Sequence, residues 1–337
     1  MRPRSVLSLL VVGVLTTTVL ATDGSVAVPA PDCVRALLPT LPGSVNTTVD
    51  AGDPDNYFQV GRSQGANGRY SLVRWSAGKA SDLGPLGASV PTGVSYNGDV
   101  IGNAPAGDGW QGWRLRNGVR TALPTPAGFA GATAEAINSS GVIAGTAYDA
   151  DGWNTRAVAW SVDGKVRVLE TQNGYNNFKA ADIGSDGTVV GTASRWDVPN
   201  GQLQDEIFVR WTSSGYVQRV GSLGSSGQAV VGERSVAAGL VAGRPTVFLG
   251  YPSYDEMPVA GTGPVHDVTI NSIRILVLLG TRHDLGVVDL DTGVKQLLPL
   301  EDPTVNGGAA TVLTETVKVY GTDFARDRQT PVRWDCA

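Results

Sequence analysis

The chain has 337 residues and few of the side chains on which metalloenzymes and nucleic-acid-binding proteins depend. It contains 2 His, 2 Cys and 2 Met, and charged residues make up 17% of the sequence. The net charge is −5 and no Lys/Arg cluster interrupts it. This argues against a nucleic-acid partner, because binding to a phosphate backbone depends on basic side chains.

Glycine is abundant, with 44 residues, and much of it belongs to a repeat. A short apolar run ends in glycine, and a tryptophan often follows later in the repeat. Clear copies occupy residues 98–102, 141–145, 187–191 and 239–243. Counting three degenerate copies, the glycines that close the run are Gly61, Gly102, Gly145, Gly191, Gly243, Gly280 and Gly321.

These glycines recur about every 43 residues, and a period of 40–45 is typical of β-propellers with one four-stranded blade per repeat. The spacing predicts an all-β, seven-bladed propeller of antiparallel blades, forming one domain over residues 31–337. The last repeat ends without a fourth strand, and residues 34–40 closely echo residues 119–125, the fourth strand of the second repeat. We therefore expect the N-terminal strand to complete the last blade and close the ring.

A tryptophan recurs in the third strand of the repeat, often as Val-Arg-Trp. We interpret it as structural, because a large ring fills space between tapered blades. The residues assigned to this position are Trp75, Trp113, Trp160, Trp211 and Trp334.

The third repeat carries a family resemblance. Its run from Ala136-Ile137-Asn138 to Gly145, followed by Arg156-Ala157-Val158-Ala159-Trp160, resembles the extracellular HAF-type repeat proteins of bacteria. That family reads roughly Ala-Ile-Asn-x-x-Gly-x-Val-x-Gly and then Arg/His-Ala-Phe-x-Trp. The resemblance implies a secreted propeller, and it implies no activity or catalytic residue.

Residues 1–30 have the features of a Sec-type signal peptide and a short N-terminal segment. Arg2 and Arg4 precede a ten-residue apolar stretch, and cleavage after Ala21, Ala27 or Ala30 fits the small-residue pattern. The stretch is short for a membrane span. We therefore expect a secreted, extracellular protein with no membrane span after cleavage.

The two cysteines, Cys33 and Cys336, lie at opposite ends of the mature chain. In an oxidising compartment they should form a disulfide bond. The alternative is two unrelated buried thiols.

Three further tryptophans follow one another at intervals of 43 residues. They fall in the predicted loops between the second and third strands of repeats two to four. We expect them to form an arc on one rim, suited to stacking on sugars or anchoring a protein. The alternative is that each ring only packs on its neighbouring loop. The predicted binding residues are Trp110, Trp153, Trp196, Tyr148, Asp108, Asp151 and Asp197.

The sequence thus favours a monomeric, non-enzymatic binding module for an extracellular carbohydrate or protein, with no cofactor. The alternative is a polysaccharide hydrolase or lyase that uses carboxylates near the central channel, for which Glu135 and Asp182 are the best-placed pair. His266 and His283, predicted to lie in rim loops, are weak candidates for a metal site.

Overall fold

The computed structural model describes residues 33–222, 230–231, 236–241, 244–249, 255–258, 265–268, 274–279, 284–289, 295–300, 308–314, 316–325 and 328–336. The fold of these residues is all-β, with one 3-10 turn at Val198–Asn200. None of them forms a helix capable of spanning a bilayer. We number the strands β1 to β28 and group them into four-stranded units, A to G.

The strands of the first units are as follows. Unit A contains β2 (Ser44–Gly52), β3 (Gln59–Gly65), β4 (Tyr70–Ser76) and β5 (Lys79–Pro85). Unit B contains β6 (Val90–Val94), β7 (Val100–Ala106), β8 (Gly109–Arg116) and β9 (Val119–Ala122). Unit C contains β10 (Gly131–Ile137), β11 (Ile143–Tyr148), β12 (Thr155–Trp160) and β13 (Val166–Val168). Unit D contains β14 (Asn177–Ile183), β15 (Val189–Asp197), β16 (Gln202–Trp211) and β17 (Val217–Ser222).

The remaining units include both ends of the described chain. Unit E contains β18 (Val230–Val231), β19 (Val236–Val241), β20 (Arg244–Leu249) and β21 (Asp255–Pro258). Unit F contains β22 (Val265–Val268), β23 (Arg274–Leu279), β24 (Asp284–Asp289) and β25 (Lys295–Leu297). Unit G contains β26 (Gly308–Leu313), β27 (Lys318–Ala325), β28 (Arg328–Asp335) and β1 (Val34–Leu37).

Successive strands within each unit pair antiparallel, and units B and C share one sheet through a single parallel pair, Ala132 with Gln111. Tight turns make this meander possible. Between β8 and β9, for example, Asn117 and Gly118 have φ of 51° and 77°, the left-handed conformation that hairpin turns use and that Asn and Gly tolerate.

Unit G joins the two ends of the chain. β1 pairs antiparallel with β28, with Val34 opposite Asp335 and Leu37 opposite Val332, so the N-terminal segment does supply the strand that the last repeat lacks. A disulfide bond joins Cys33 to Cys336, which confirms the pairing predicted from the sequence.

In units A, B, C, D and G the repeat glycine lies opposite a β-bulge in the first strand. In unit C, Ala134 pairs with Gly145 and Ala136 with Ala144, so Glu135 is the extra residue. A Cβ on Gly145 would lie 2.0 Å from the carbonyl oxygen of Thr133, so only glycine fits this close approach. The extra residues of units A, B, C, D, F and G are Asp50, Thr92, Glu135, Ala181, His266 and Thr311.

Buried tryptophans connect neighbouring units. In four of them the indole Nε1 donates to a backbone carbonyl just after the last strand of the preceding unit. The pairs are Trp75 with Pro39, Trp160 with Pro124, Trp211 with Glu170 and Trp334 with Pro299.

The repeat was misaligned in unit B. Trp160 pairs with Ile143, two residues before the repeat glycine, whereas Trp113 pairs with Gly102 itself. Leu115 therefore occupies the tryptophan position in unit B, and Trp113 precedes it on the same face of the strand. This correction has a physical consequence, since the Trp113 indole nitrogen has no hydrogen-bond partner among the described residues.

Two glycine assignments were also wrong. In unit E the run from Gly239 lies at the end of β19, whereas the other clear copies lie at the start of their strands. In unit F, Val277 pairs with the residue before the bulge, so it stands where the other units have glycine. Gly243 and Gly280 themselves lie outside the described residues.

Candidate functional site

The hairpins between the second and third strands of units B, C and D lie next to one another. The hydroxyl of Tyr148 in unit C contacts the backbone of Trp110 in unit B. The rings of Trp153 in unit C and Trp196 in unit D are in contact. We call these four residues the aromatic rim.

The positions of the tryptophans differ in part from the sequence prediction. Trp153 lies in a loop as predicted, but Trp110 is the second residue of β8 and Trp196 is the next-to-last residue of β15. The loop prediction for these two was wrong because both hairpins continue the ladder further, with Pro105 opposite Trp110 and Leu203 opposite Trp196.

Trp153 and Trp196 form an edge-to-face pair, with ring centroids 6.3 Å apart and an interplanar angle of 67°. Trp153 is 46% exposed, while Trp196 is half-buried and its Nε1 donates to Ser194 Oγ at 3.1 Å. Trp196 thus supports the pair, and Trp153 presents apolar surface to solvent.

The backbone beneath this pair is held from two directions. Asn176 donates through Nδ2 to the carbonyl oxygen of Trp196 and accepts from its amide, both at 2.9 Å. Arg156 donates to the carbonyl oxygen of Asn176 at 2.8 Å and to Oδ1 of Asn154, beside Trp153, at 3.1 Å. The backbone of Trp196, on which Trp153 packs, is therefore fixed before any ligand arrives, and such preorganisation lowers the entropy cost of binding.

Tyr148 fixes Trp110 in a similar way. Its hydroxyl accepts from the amide of Trp110 and donates to the carbonyl oxygen of the same residue, both at 2.5 Å. A Cβ on Gly109 or Gly131 would lie only 2.6 or 2.2 Å from this hydroxyl. Tyr148 therefore positions the 42% exposed Trp110, since its polar group is already engaged.

Polar groups surround the aromatic rim. Asp108 and Asp151 are exposed, and half-buried Asp197 accepts from Asn200 Nδ2 at 2.6 Å. Tyr175 donates to Asp205 Oδ2 at 2.8 Å, and burial together with this carboxylate raises the pKa of the Tyr175 hydroxyl. The surface combines flat apolar rings with hydrogen-bonding groups, a combination that suits a ligand with both C–H faces and hydroxyls.

A second set of candidate residues lies on the first strands. Glu135 is the extra residue of its bulge, is half-buried, and accepts from Thr133 Oγ1 at 2.7 Å. Burial raises the pKa of the Glu135 carboxyl, against the opposing effects of the Thr133 hydrogen bond and the charge of Lys179.

Asp182 is not the counterpart of Glu135. In unit D the extra residue of the bulge is Ala181, and Asp182 pairs with Val190 and accepts the amide of Ile183 at 2.7 Å. The acidic counterpart is Asp50 in unit A, which accepts two bonds from Arg62, at 2.9 and 3.0 Å. The structure thus corrects the pair inferred from the sequence, because a single-residue bulge shifts the register.

The structure describes only one of the two predicted metal candidates. His266 lies within β22 rather than in a loop, and His283 lies outside the described residues. Among the residues that the structure describes, no group of three or more His, Cys, Asp or Glu side chains could hold a metal ion.

Sequence reasoning missed Asn176 and Asp50. Asn176 precedes β14 in a turn that reads as an ordinary polar loop, and its partner is 20 residues away. Spacing does not separate Asp50 from Asp182, because Asp50 lies 11 residues before Gly61 and Asp182 lies 9 before Gly191, against 10 from Glu135 to Gly145.

Comparison with known proteins places the fold among β-propeller structures. The chain is 12% identical to a streptogramin B lyase, with a TM-score of 0.57 over 91% of this chain and 98% of that one. A virginiamycin B lyase from Staphylococcus aureus gives 14% identity and a TM-score of 0.52 over 89% and 98%. A puromycin hydrolase gives 16% identity and a TM-score of 0.58 over 87% of this chain and 52% of that chain. No family model and no curated protein matches the chain.

Proposed function

We propose that this protein is an exported, non-enzymatic binding module that takes an extracellular ligand on the aromatic rim. One observation carries the proposal: Trp153 packs edge-to-face on Trp196, whose backbone Asn176 holds by two hydrogen bonds. Trp153 stays 46% exposed while it packs against this fixed partner. Such preorganisation benefits binding.

Carbohydrate is the ligand class that the surroundings favour. Stacking on Trp153 would bury the C–H face of a sugar, and Asp151, Asp197 and nearby amides would meet its hydroxyls. The net charge of −5 disfavours an acidic polymer, so a neutral polysaccharide fits best. A protein partner anchored by the same rings is the alternative.

The scaffold in this proposal is a seven-bladed propeller closed into a ring. Three features support closure: the pairing of β1 with β28, the Cys33–Cys336 bond, and contacts between first strands in the cyclic order β2, β6, β10, β14, β18, β22, β26 and back to β2. In this arrangement the hairpins between second and third strands share one rim, as the Tyr148–Trp110 and Trp153–Trp196 contacts require.

Export is part of the same proposal. The signal-peptide pattern of residues 1–30 and the disulfide bond both fit an oxidising, extracellular location. The resemblance of the third repeat to the HAF-type repeat proteins supports this location.

A polysaccharide hydrolase or lyase is the second candidate, and the raised pKa of Glu135 favours it. A raised pKa suits a carboxyl that donates a proton as a general acid. The lyase and hydrolase among the similar structures share only the fold at 12–16% identity. Loss of turnover in Glu135→Gln, with glycan binding retained, would establish this function.

The test is a glycan and cell-wall array probed with purified protein, Trp153→Ala and, as a control, Tyr216→Ala. Tyr216 is also an exposed aromatic, at 66%, but lies next to β17, away from the aromatic rim. We expect neutral polysaccharides to retain the wild type and the control but not Trp153→Ala. Retention by protein ligands alone would contradict the carbohydrate assignment.

A further inference from the structure

A second exposed aromatic pair lies at the opposite end of the strands. Tyr57, between β2 and β3, and Tyr96, between β6 and β7, have ring centroids 4.6 Å apart at an interplanar angle of 74°. Tyr57 is 51% exposed and Tyr96 43%. They come from neighbouring units A and B, as Trp153 and Trp196 come from neighbouring units C and D.

The chain path puts the two pairs on opposite rims. Tyr57 and Tyr96 follow first strands, whereas the aromatic rim lies where second strands end, and antiparallel neighbours reverse direction. The loops after the first strands of neighbouring units also contact one another. Asn97 of unit B donates to the carbonyl oxygen of Ser139 of unit C at 3.2 Å, and Asn138 of unit C donates to that of Gly184 of unit D at 3.0 Å. Strands of six or seven residues separate the rims by roughly 20 Å.

The tyrosine pair is built on a rigid base. The guanidinium of Arg74 stacks on Phe58 at 5.0 Å and donates to the carbonyl oxygen of Gly98 at 3.4 Å, which ties the Tyr57 loop to the Tyr96 turn. Asn56 is held in turn by the hydroxyl of Tyr320 at 2.5 Å. These contacts hold the loop segments next to the two exposed tyrosine rings.

The polarity of the pair narrows its ligand. The neighbouring Tyr96 hydroxyl raises the pKa of Tyr57, so the phenol stays uncharged at neutral pH. The pair offers a ligand its two ring surfaces, with exposed Asp55 and Asn97 at its margin. Apolar rings bordered by a carboxylate and an amide match the C–H face and hydroxyls of a neutral sugar.

We propose that Tyr57 and Tyr96 form a second saccharide-binding site, so that the protein takes neutral polysaccharide on both rims and can cross-link chains. This inference takes its ligand class from the proposed function. It adds a second binding site and therefore a valency of two. Two sites on opposite faces of a rigid scaffold cannot share one short oligosaccharide, so they should bind independently.

The test titrates the full mature protein with cellohexaose, maltohexaose and mannohexaose while NMR monitors the indole NH of Trp153 and the ring signals of Tyr57 and Tyr96. With one of these probes we expect both sets to shift, with a stoichiometry of two. Tyr57→Ala/Tyr96→Ala should reduce the stoichiometry to one and abolish cross-linking of the corresponding polysaccharide, measured as viscosity. Tyr216→Ala should change neither.

The outcomes separate the two proposals. Shifts at Trp153 alone would overturn the second site and leave the proposed function intact. Shifts at the tyrosines alone would overturn the aromatic rim as the binding surface and support the second site. No shift with any hexasaccharide would contradict both. Tyr57→Phe/Tyr96→Phe, which keeps the rings and removes the hydroxyls, should retain binding within about threefold. A larger loss would show that the hydroxyls, not the rings, carry the interaction and would overturn the stacking assignment.

Discussion

The Nε1 of Trp75 donates to the carbonyl oxygen of Pro39 at 2.7 Å. Trp160 makes the same bond to Pro124 at 2.9 Å, across 36 residues in both cases. Pro39 follows β1, which belongs to unit G. The bond between units A and G is therefore the same as the bond between the consecutive units B and C. The two ends of the molecule are therefore held by the ordinary geometry of the repeat.

Replacing Trp75 by Phe should lower the free energy of unfolding by about 1–2 kcal/mol more than replacing Trp113 by Phe. Both rings are buried, but only the first change leaves a carbonyl oxygen without its donor, because the Trp113 indole nitrogen has no partner among the described residues. Urea unfolding of both variants measures the difference. Equal losses would show that Trp75 acts through ring volume alone.

Replacing Val317 by Gly should stabilise the protein by about 0.5–1 kcal/mol. Val317 has φ of 58° in a turn where Gly98, Gly141 and Gly187 have φ of 78–82°, a conformation that is costly for a β-branched residue. Relief of this strain should exceed the extra backbone entropy of glycine.

Thermal unfolding of Val317→Gly and Val317→Ala tests this. The alanine variant keeps a Cβ at positive φ, so its gain should be smaller. A lower melting temperature for Val317→Gly would show that the turn holds no strain.

Replacing Asp53 by Asn should stabilise the fold by about 1 kcal/mol near neutral pH. Asp53 is buried and accepts the amide of Phe58 through Oδ2, but its Oδ1 has no partner among the described residues. In the matching turn, Asn138 accepts the amide of Val142 and donates through Nδ2 to Gly184. An amide at position 53 would remove the buried charge and put an N–H, as in Asn138, where the carboxylate has its unpaired oxygen.

The gain should also depend on pH. Burial raises the pKa of Asp53 above its ordinary value of 3.8, against the Phe58 hydrogen bond, so the folded state favours the protonated carboxyl. This contribution to stability is present at low pH and is lost as pH rises through the folded pKa. The advantage of Asp53→Asn over wild type should therefore be larger at pH 7.5 than at pH 4.5 in urea unfolding. An equal advantage at both pH values would contradict the raised pKa of Asp53.

Much of the fold could be predicted from the sequence because the repeat glycine reports a local requirement. At Gly145 a Cβ would meet a backbone oxygen. Glycine is therefore needed where the first strand approaches the second this closely at the bulge. Val277 shows where the signal fails, since a similar register exists there without glycine. The position of Asp182 could not be predicted, because a bulge moves the register by one residue without altering the hydrophobic pattern.

The aromatic rim could be predicted only in outline. Spacing alone identified Trp110, Trp153 and Trp196, but the role of Tyr148 as a brace depends on the space left by Gly109 and Gly131 from two different strands. Such tertiary coincidences are not present in any local pattern.

The affinity of Trp153→Ala for a neutral hexasaccharide shows whether the aromatic rim binds saccharide through Trp153. Isothermal titration of wild type, Trp153→Ala and Tyr216→Ala, with the tyrosine pair replaced by alanine in all three, isolates the aromatic rim. Because Trp153 is 46% exposed, its removal should shift the melting temperature by no more than about 2 °C. We expect at least a tenfold loss of affinity for Trp153→Ala and none for Tyr216→Ala. Equal affinities in all three proteins would contradict a binding role for the aromatic rim.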